Sequence, residues 1–263
     1  MIQDYDIADV VPYINWVYFY SAWQVRQSDE QQRLRLEAEQ WLAGQQGCYR
    51  CHVLFRLLDA RSEDDDIIVD NAGMPVRIPC LRQQQQDSDF LCLADFIAPG
   101  GGDKLGLFVA STDRGMETDF DSDPYQKMLA QLLADRLAEA ATECFHEQVR
   151  KQLWGYAPDE QLTIGEMHQE HFQGIRPAVG YPSLPDASLN FVLDSILGFS
   201  QIGVTLTENG AMRPHASVSG LMMAHPQARY FSVGTIGADQ LHDYARRRGL
   251  PENTVRKFLS ANL

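Results

Sequence analysis

The longest uninterrupted pattern in the chain opens at Ser122 and Asp123, passes through Pro124 and runs to about residue 154. Ser or Asp ahead of a helix accepts hydrogen bonds from its first N–H groups, and proline suits the first helical position because its missing N–H would have no partner there. Leu129, Leu133, Leu137 and Cys144 recur at helical spacing, an apolar stripe that the rest of the fold has to cover. A second edge carries Asp135, Glu139, Thr142 and His146, also three and four residues apart, so these polar side chains share one face. A solvated face and a lined cleft both fit that row.

Upstream, residues 49–58, 67–69, 74–81 and 105–111 have strand patterns, separated by turns at 62–66 and 71–73. The acidic 62–66 stretch is expected to be a solvated loop. The glycines at 100–102 lead into a strand rather than a helix, so a surface turn fits better than a phosphate cradle. The glutamines at 83–86 are too few to count as low complexity. Near the N-terminus Trp16, Phe19, Tyr20 and Trp23 follow i, i+3, i+4, i+7 spacing, an aromatic helix that either packs into the core or stacks on a planar ligand. A second helix spans 31–42. Downstream, helices are predicted at 163–172, 189–197 and 238–248, and strands at 202–207, 216–222 and 229–236. In the last strand neighbours point to opposite faces, so one of Tyr230 and Phe231 is expected in the core. Arg246, Arg247 and Arg248 suit a helix C-terminus electrostatically; an acidic partner protein is the alternative.

With 263 residues, 44% hydrophobic and 22% charged, the chain can bury one large core or two modest ones without covalent staples. A net charge of -14 argues against nucleic acid and against an anionic membrane surface, and favours a cationic small molecule. No leader pattern or long apolar run is present, so the expected location is the cytoplasm. Five cysteines, an odd number in a long chain, are expected to be free thiols. Cys48-Tyr49-Arg50-Cys51-His52 spells a haem-attachment pattern, but it opens a strand in a chain without export features, and no second Cys or His pair supports zinc. His168 and His171 lack a third ligand at suitable spacing and are taken as surface histidines. No metal site is predicted.

The stretch with most chemical character is Gln173-Gly174-Ile175-Arg176-Pro177-Ala178-Val179-Gly180-Tyr181-Pro182. Its prolines restrict themselves and the residues before them, so little conformational freedom remains to be lost on binding. Arg176 presents a planar fork suited to a carboxylate, and Gly180 would allow a ligand close to the backbone. The plainer alternative is a proline-rich loop with a surface arginine. If carboxylates of the long helix line the same place, an amino acid with a positive centre would meet one group for each charge.

Several motifs in order resemble the activation (reactivation) domain of cobalamin-dependent methionine synthase over nearly the whole chain. They are Ile14-Asn15-Trp16, Leu93-Ala94-Asp95-Phe96-Ile97-Ala98-Pro99, Ala134-Asp135-Arg136-Leu137-Ala138-Glu139-Ala140, Trp154-Gly155-Tyr156-Ala157-Pro158, the Arg176 stretch, Leu206-Thr207-Glu208, Ala216-Ser217-Val218-Ser219-Gly220 and His225-Pro226. The resemblance implies one α+β domain over 1–263, with a mixed, largely antiparallel central sheet, flanking long helices and an N-terminal helical part over 1–45. It implies S-adenosylmethionine as ligand, with Arg176 on its carboxylate, Asn15 by its amino group and Tyr230 and Phe231 by its adenosine. Glu139, Glu170, Gly180 and Tyr181 complete the expected site. It further implies reductive methylation of cob(II)alamin on a separate cobalamin-binding methionine synthase subunit, with a flavodoxin-like electron donor and no catalytic residue in this chain.

The sequence departs from the family pattern at a few places. Asn15 stands where the family usually has aspartate, 183–188 lacks the usual Cys and His, His215 replaces a small residue, and the segment after Trp23 is short. Cobalamin, folate and homocysteine-zinc motifs are absent from the sequence. Two further functions are compatible with the same residues: a module that senses S-adenosylmethionine without methyl transfer, and a ligand-free interaction domain.

Overall fold

The computed structural model describes residues 1–85 and 88–263, so the end of the 83–86 glutamine run lies outside the described residues. Its strands are β1 (Ile2–Asp6), β2 (Arg50–Glu63), β3 (Asp66–Asn71), β4 (Met74–Pro79), β5 (Asp103–Thr112), β6 (Thr205–Leu206), β7 (Met212–Arg213) and β8 (Ser217–Met222). The helices are α1 (Ile7–Val10), α2 (Trp16–Ala22), α3 (Ser28–Gly44), α4 (Gly115–Thr118), α5 (Pro124–Gln148), α6 (Ile164–His168), α7 (Leu189–Leu197), α8 (Ala238–Arg248) and α9 (Glu252–Phe258). The main sheet runs β4-β3-β2-β5-β8 with β1 beside β2, and β6 and β7 form a small ladder apart from it. Every strand pair among the described residues is antiparallel, and the fold is α+β as the family resemblance implies.

β2 is the spine of the sheet. It pairs with β5 from Cys51 to Ala60, while β1 and β3 share its other edge at opposite ends. Successive strand residues face opposite sides, and here both sides are covered. Val53, Phe55, Phe108 and Ala110 pack with Leu129, Leu133, Leu137 and Phe145 of α5 and with Phe19 of α2. Leu54, Leu58, Leu105, Leu107 and Val109 pack with Leu189, Leu193 and Ile196 of α7 on the other side. A smaller cluster joins α8 and α9 to Leu81 and Val233. The aromatic helix is therefore largely a packing element, with Phe19 fully buried.

α5 begins as its sequence dictates, with the Asp123 carboxylate accepting from the Tyr125 and Gln126 N–H groups. It ends in a π turn over Val149–Leu153, where the Trp154 N–H donates to the Val149 carbonyl at 2.9 Å. The extra residue in that turn accompanies a fully buried Arg150.

Several expectations are corrected. The 1–45 part is not wholly helical, because Ile2–Asp6 adds β1 beside the start of β2. Its polar residues hide the strand pattern, and only Tyr5 among them is buried. Residues 229–236 do not form a strand: Gly234 has φ +69°, and the segment bonds to loops, as in Val233 N–H to Pro182 O at 2.9 Å and Ile236 N–H to Asn262 O at 2.8 Å. The 62–66 run is not a solvated loop throughout, since Asp66 is buried and paired with Arg77 and Arg247. Arg247 and Arg248 point inward onto Asp66 and Asp186, which removes them as a receptor for an acidic partner.

The Arg176 stretch is an extra strand-like segment on the free edge of β8. Ile175 and Met223 exchange backbone hydrogen bonds at 3.0 and 2.9 Å, Val179 N–H donates to Ser219 O at 2.9 Å, and Leu221 N–H donates to Pro177 O at 3.0 Å. Proline is tolerated because only its carbonyl is needed in this ladder. Gly220 makes the approach possible: a Cβ there would lie 2.3 Å from Pro177 O and 3.0 Å from a Phe108 ring carbon. Gly220→Ala is therefore expected to lower stability by about 2 kcal/mol or more, read as a fall in the urea midpoint. At Gly180, with φ +88° and nothing near a Cβ, alanine is expected to cost about 1–2 kcal/mol from backbone strain alone. Equal midpoints for Gly220→Ala and the wild type would mean the segment is not seated on β8 in this way.

Candidate functional site

A cavity of about 780 Å³ opens between the polar edge of α5, the start of α2, the loop around Glu170 and the Arg176 segment. Arg176 lies at its base. Its backbone N–H donates to the Tyr230 hydroxyl at 2.8 Å, its Nη2 donates to Glu143 Oε2 at 2.9 Å, and its Nη1 donates to His146 Nδ1 at 3.1 Å. Burial disfavours the charged guanidinium, but Glu143 overrides it and keeps the pKa above the ordinary value. The other Glu143 oxygen, Oε1, is buried without a hydrogen-bond partner.

Of the expected residues, Asn15, Glu139, Glu170, Arg176, Tyr181, Tyr230 and Phe231 all line this cavity. Asn15 has a structural role as well, since its Oδ1 caps α2 by accepting from Val17 N–H at 3.2 Å. Glu139 is held by Arg136 at 2.7 Å. Burial raises the pKa of Glu139 against the pull of Arg136, and raises that of Glu170 against the pull of Arg176. Glu170 has φ +61°, an uncommon conformation for a residue with a side chain. Tyr230 and Phe231 both face the cavity instead of dividing between site and core, because their segment is not a strand.

Gly180 is not among the lining residues. It serves a tight turn in which its N–H donates to Leu184 O at 2.8 Å. The polar row of α5 splits along its length: Asp135 contacts His215 at 3.3 Å, Glu139 and Thr142 line the wall, and His146 is fully buried beneath. His168 is not a plain surface histidine, since it lines the cavity and its Nε2 meets Tyr13 O at 3.0 Å.

Sequence reasoning missed Glu143, the direct partner of Arg176. The signal was present, because Glu143 lies four residues after Glu139 and three before His146, on the same edge of α5. It also missed Tyr13, Tyr18 and Phe172, whose rings add apolar wall. The ion pair of Arg150 with Glu160, with contacts of 2.7 to 3.0 Å, had no spacing signal because a π turn and a loop intervene.

The arrangement can hold a zwitterionic or cationic ligand of moderate size. An anchored guanidinium meets an anion, Glu139 and Glu170 face positive charge, and the rings accept a planar group. The second Glu143 oxygen, Oε1, is out of solvent contact and so is not part of this wall.

The solved structure described as the MetH reactivation domain bound to AdoHcy is 36% identical and superposes with a TM-score of 0.91, covering 100% of this chain and 90% of that one. Residues 6–249 match the family profile of the vitamin B12 dependent methionine synthase activation domain. With both fold and sequence matched over nearly its whole length, the chain belongs to the family of vitamin B12-dependent methionine synthase activation domains.

Proposed function

We propose that this chain binds S-adenosylmethionine in the Arg176 cavity and supports the reductive methylation of cob(II)alamin carried by methionine synthase. The observation that carries the ligand is the anchored Arg176 fork facing a cavity walled by Glu139, Glu170, Tyr230 and Phe231. The related structure with AdoHcy supports the same ligand class. In this reading Arg176 takes the carboxylate, Asn15 and the neighbouring acids the ammonium, and Tyr230 and Phe231 the adenosine. Gly180 and Tyr181 shape the turn beside it.

The cobalamin supplies the methyl-accepting cobalt, and a flavodoxin-like protein supplies the electron. This chain's residues bind, orient and shield the methyl donor, so its contribution is positioning rather than acid–base chemistry. We read 1–263 as one domain, working in the cytoplasm. All five cysteines are free, which suits a reducing compartment. No helix among the described residues is long and apolar enough to cross a membrane.

Calorimetric titration with S-adenosylmethionine tests the ligand, and no heat at millimolar concentration sinks it. Mixing the protein with a cob(II)alamin-loaded partner, a one-electron donor and S-adenosylmethionine should yield methylcobalamin. Binding without that product would leave a sensing module. Arg176→Lys keeps a cation beside Glu143 but loses the fork, and should weaken binding at least about tenfold. Arg176→Ala should lose about 3 kcal/mol of binding or more and also destabilise the fold, because Glu143 is left without its cation. Unchanged affinity in both variants would make the Arg176 fork irrelevant to the ligand. Asn15→Asp preserves the α2 cap and adds a charge towards the ammonium, so binding should tighten by up to about 1 kcal/mol. Weaker or equal binding would mean that Asn15 does not face that group.

A further inference from the structure

Below the cavity, His146 is shared by two arginines. Arg150 is fully buried, grips Glu160 through Nε and Nη2, and directs Nη1 at His146 Nδ1 at 2.9 Å. Arg176 directs its own Nη1 at the same nitrogen at 3.1 Å. On the far side of the ring, Nε2 lies 3.4 Å from the Tyr156 hydroxyl. Phe172 stands edge-on to the imidazole at 5.0 Å and lies under the Arg150 guanidinium at 4.4 Å. Glu143 and Glu160 sit beyond the two arginines and balance their charge.

A guanidinium has only donors, so Nδ1 must carry the lone pair and Nε2 the proton. A second proton would place a third positive charge between the arginines and remove the acceptor both of them use. Burial, then Arg176 and Arg150, accordingly push the imidazole pKa well below its ordinary value. Arg176 has five N–H donors, of which Glu143 and His146 take one each on different nitrogens. The fork is thereby fixed at both ends, with three N–H groups left over.

We propose that His146 is a positioning residue: as a neutral acceptor shared with Arg150, it fixes the plane of the Arg176 fork so that the remaining N–H groups meet the ligand carboxylate. The proposal rests on the reading of Arg176 as the carboxylate anchor, and its test separates the two. The readout is the ratio of affinities for S-adenosylmethionine and its decarboxylated analogue, measured calorimetrically on the wild type, His146→Gln and His146→Phe. A wild type without preference for the carboxylate-bearing ligand overturns the anchor, and the proposal with it, before any variant is made.

Given that preference, His146→Gln, which still offers an acceptor, should keep the ratio within about threefold. His146→Phe should reduce it at least about tenfold while changing the affinity for the decarboxylated analogue by less than about threefold. A merely structural role would weaken both ligands alike, and that result, or unchanged ratios in both variants, overturns the proposal.

A second measurement covers a Phe variant that fails to fold. The stability that His146 contributes is fully present above its unfolded-state pKa of about 6.5 and falls as pH drops, because the unfolded chain takes up a proton that the folded ring refuses. The urea midpoint of the ligand-free wild type should therefore fall more steeply between about pH 7.5 and about pH 5.5 than that of His146→Gln. Superimposable profiles would mean that His146 is not held neutral between the arginines, and the proposal falls.

Discussion

Beneath the cavity two guanidiniums flank one neutral imidazole, and the elements around them are arranged so that neither charge is left alone. Arg150 is matched by Glu160 and Arg176 by Glu143, with distances of 2.7 and 2.9 Å. Buried pairs of this kind add little net stability, because desolvating both ions offsets their attraction, yet removing one partner costs about 3–5 kcal/mol. Such pairs constrain geometry more than they stabilise it. The π turn that ends α5, the loop that brings Glu160 back and the register of the Arg176 segment all have to be right together. An error in any of them strands a charge.

The backbone of that segment is governed by a different constraint. A sheet edge exposes unpaired N–H and C=O groups, which other chains can pair with. Here the β8 edge is covered by residues 175–179, and the isolated bridges Ile175 to Met223 and Ala178 to Gly220 mark the register. Pro177 has no N–H but contributes its carbonyl to Leu221. The segment thus closes the sheet and carries the anchor at once. Its far end is tied down in turn, since Ser183 Oγ donates to Phe231 O at 2.5 Å and holds the strip bearing Tyr230 and Phe231 against the turn after Gly180. Anchor and aromatic wall are therefore tied together, also through the Arg176 N–H to the Tyr230 hydroxyl.

What could be read from the sequence was what depends on local pattern. Helix α7 and helix α8 match their predicted limits, and the capped start of α5 follows from Asp123 and Pro124. Helical periodicity also put Glu139 on the edge that forms the cavity wall. Features set by long-range pairing were not legible. β1 exists because its backbone pairs with β2, not because of its side chains. Residues 229–236 alternate like a strand, yet their backbone partners are Pro182 and Asn262. Asp66 sits in an acidic run that looks solvated, and its burial is explained by Arg77 of the neighbouring strand together with the distant Arg247. Glu143 was legible in principle, since it shares the edge of α5 with Glu139 and His146 at four- and three-residue steps.

The way Arg176 is held explains how a short, proline-rich stretch can serve as a binding element. Ordering a rotamer-rich side chain on binding costs about 0.5–1.5 kcal/mol. Arg176 is already ordered by Glu143, His146 and the sheet edge, so that cost is met during folding. The folded chain carries the consequence as an imperfection, since Glu143 Oε1 is buried with no donor. An unsatisfied buried acceptor costs about 1–3 kcal/mol or more when charged. That cost falls on the fold rather than on binding, because the oxygen lies out of contact with solvent. An anion entering the cavity would accordingly meet a guanidinium whose position is already set by Glu143 and His146.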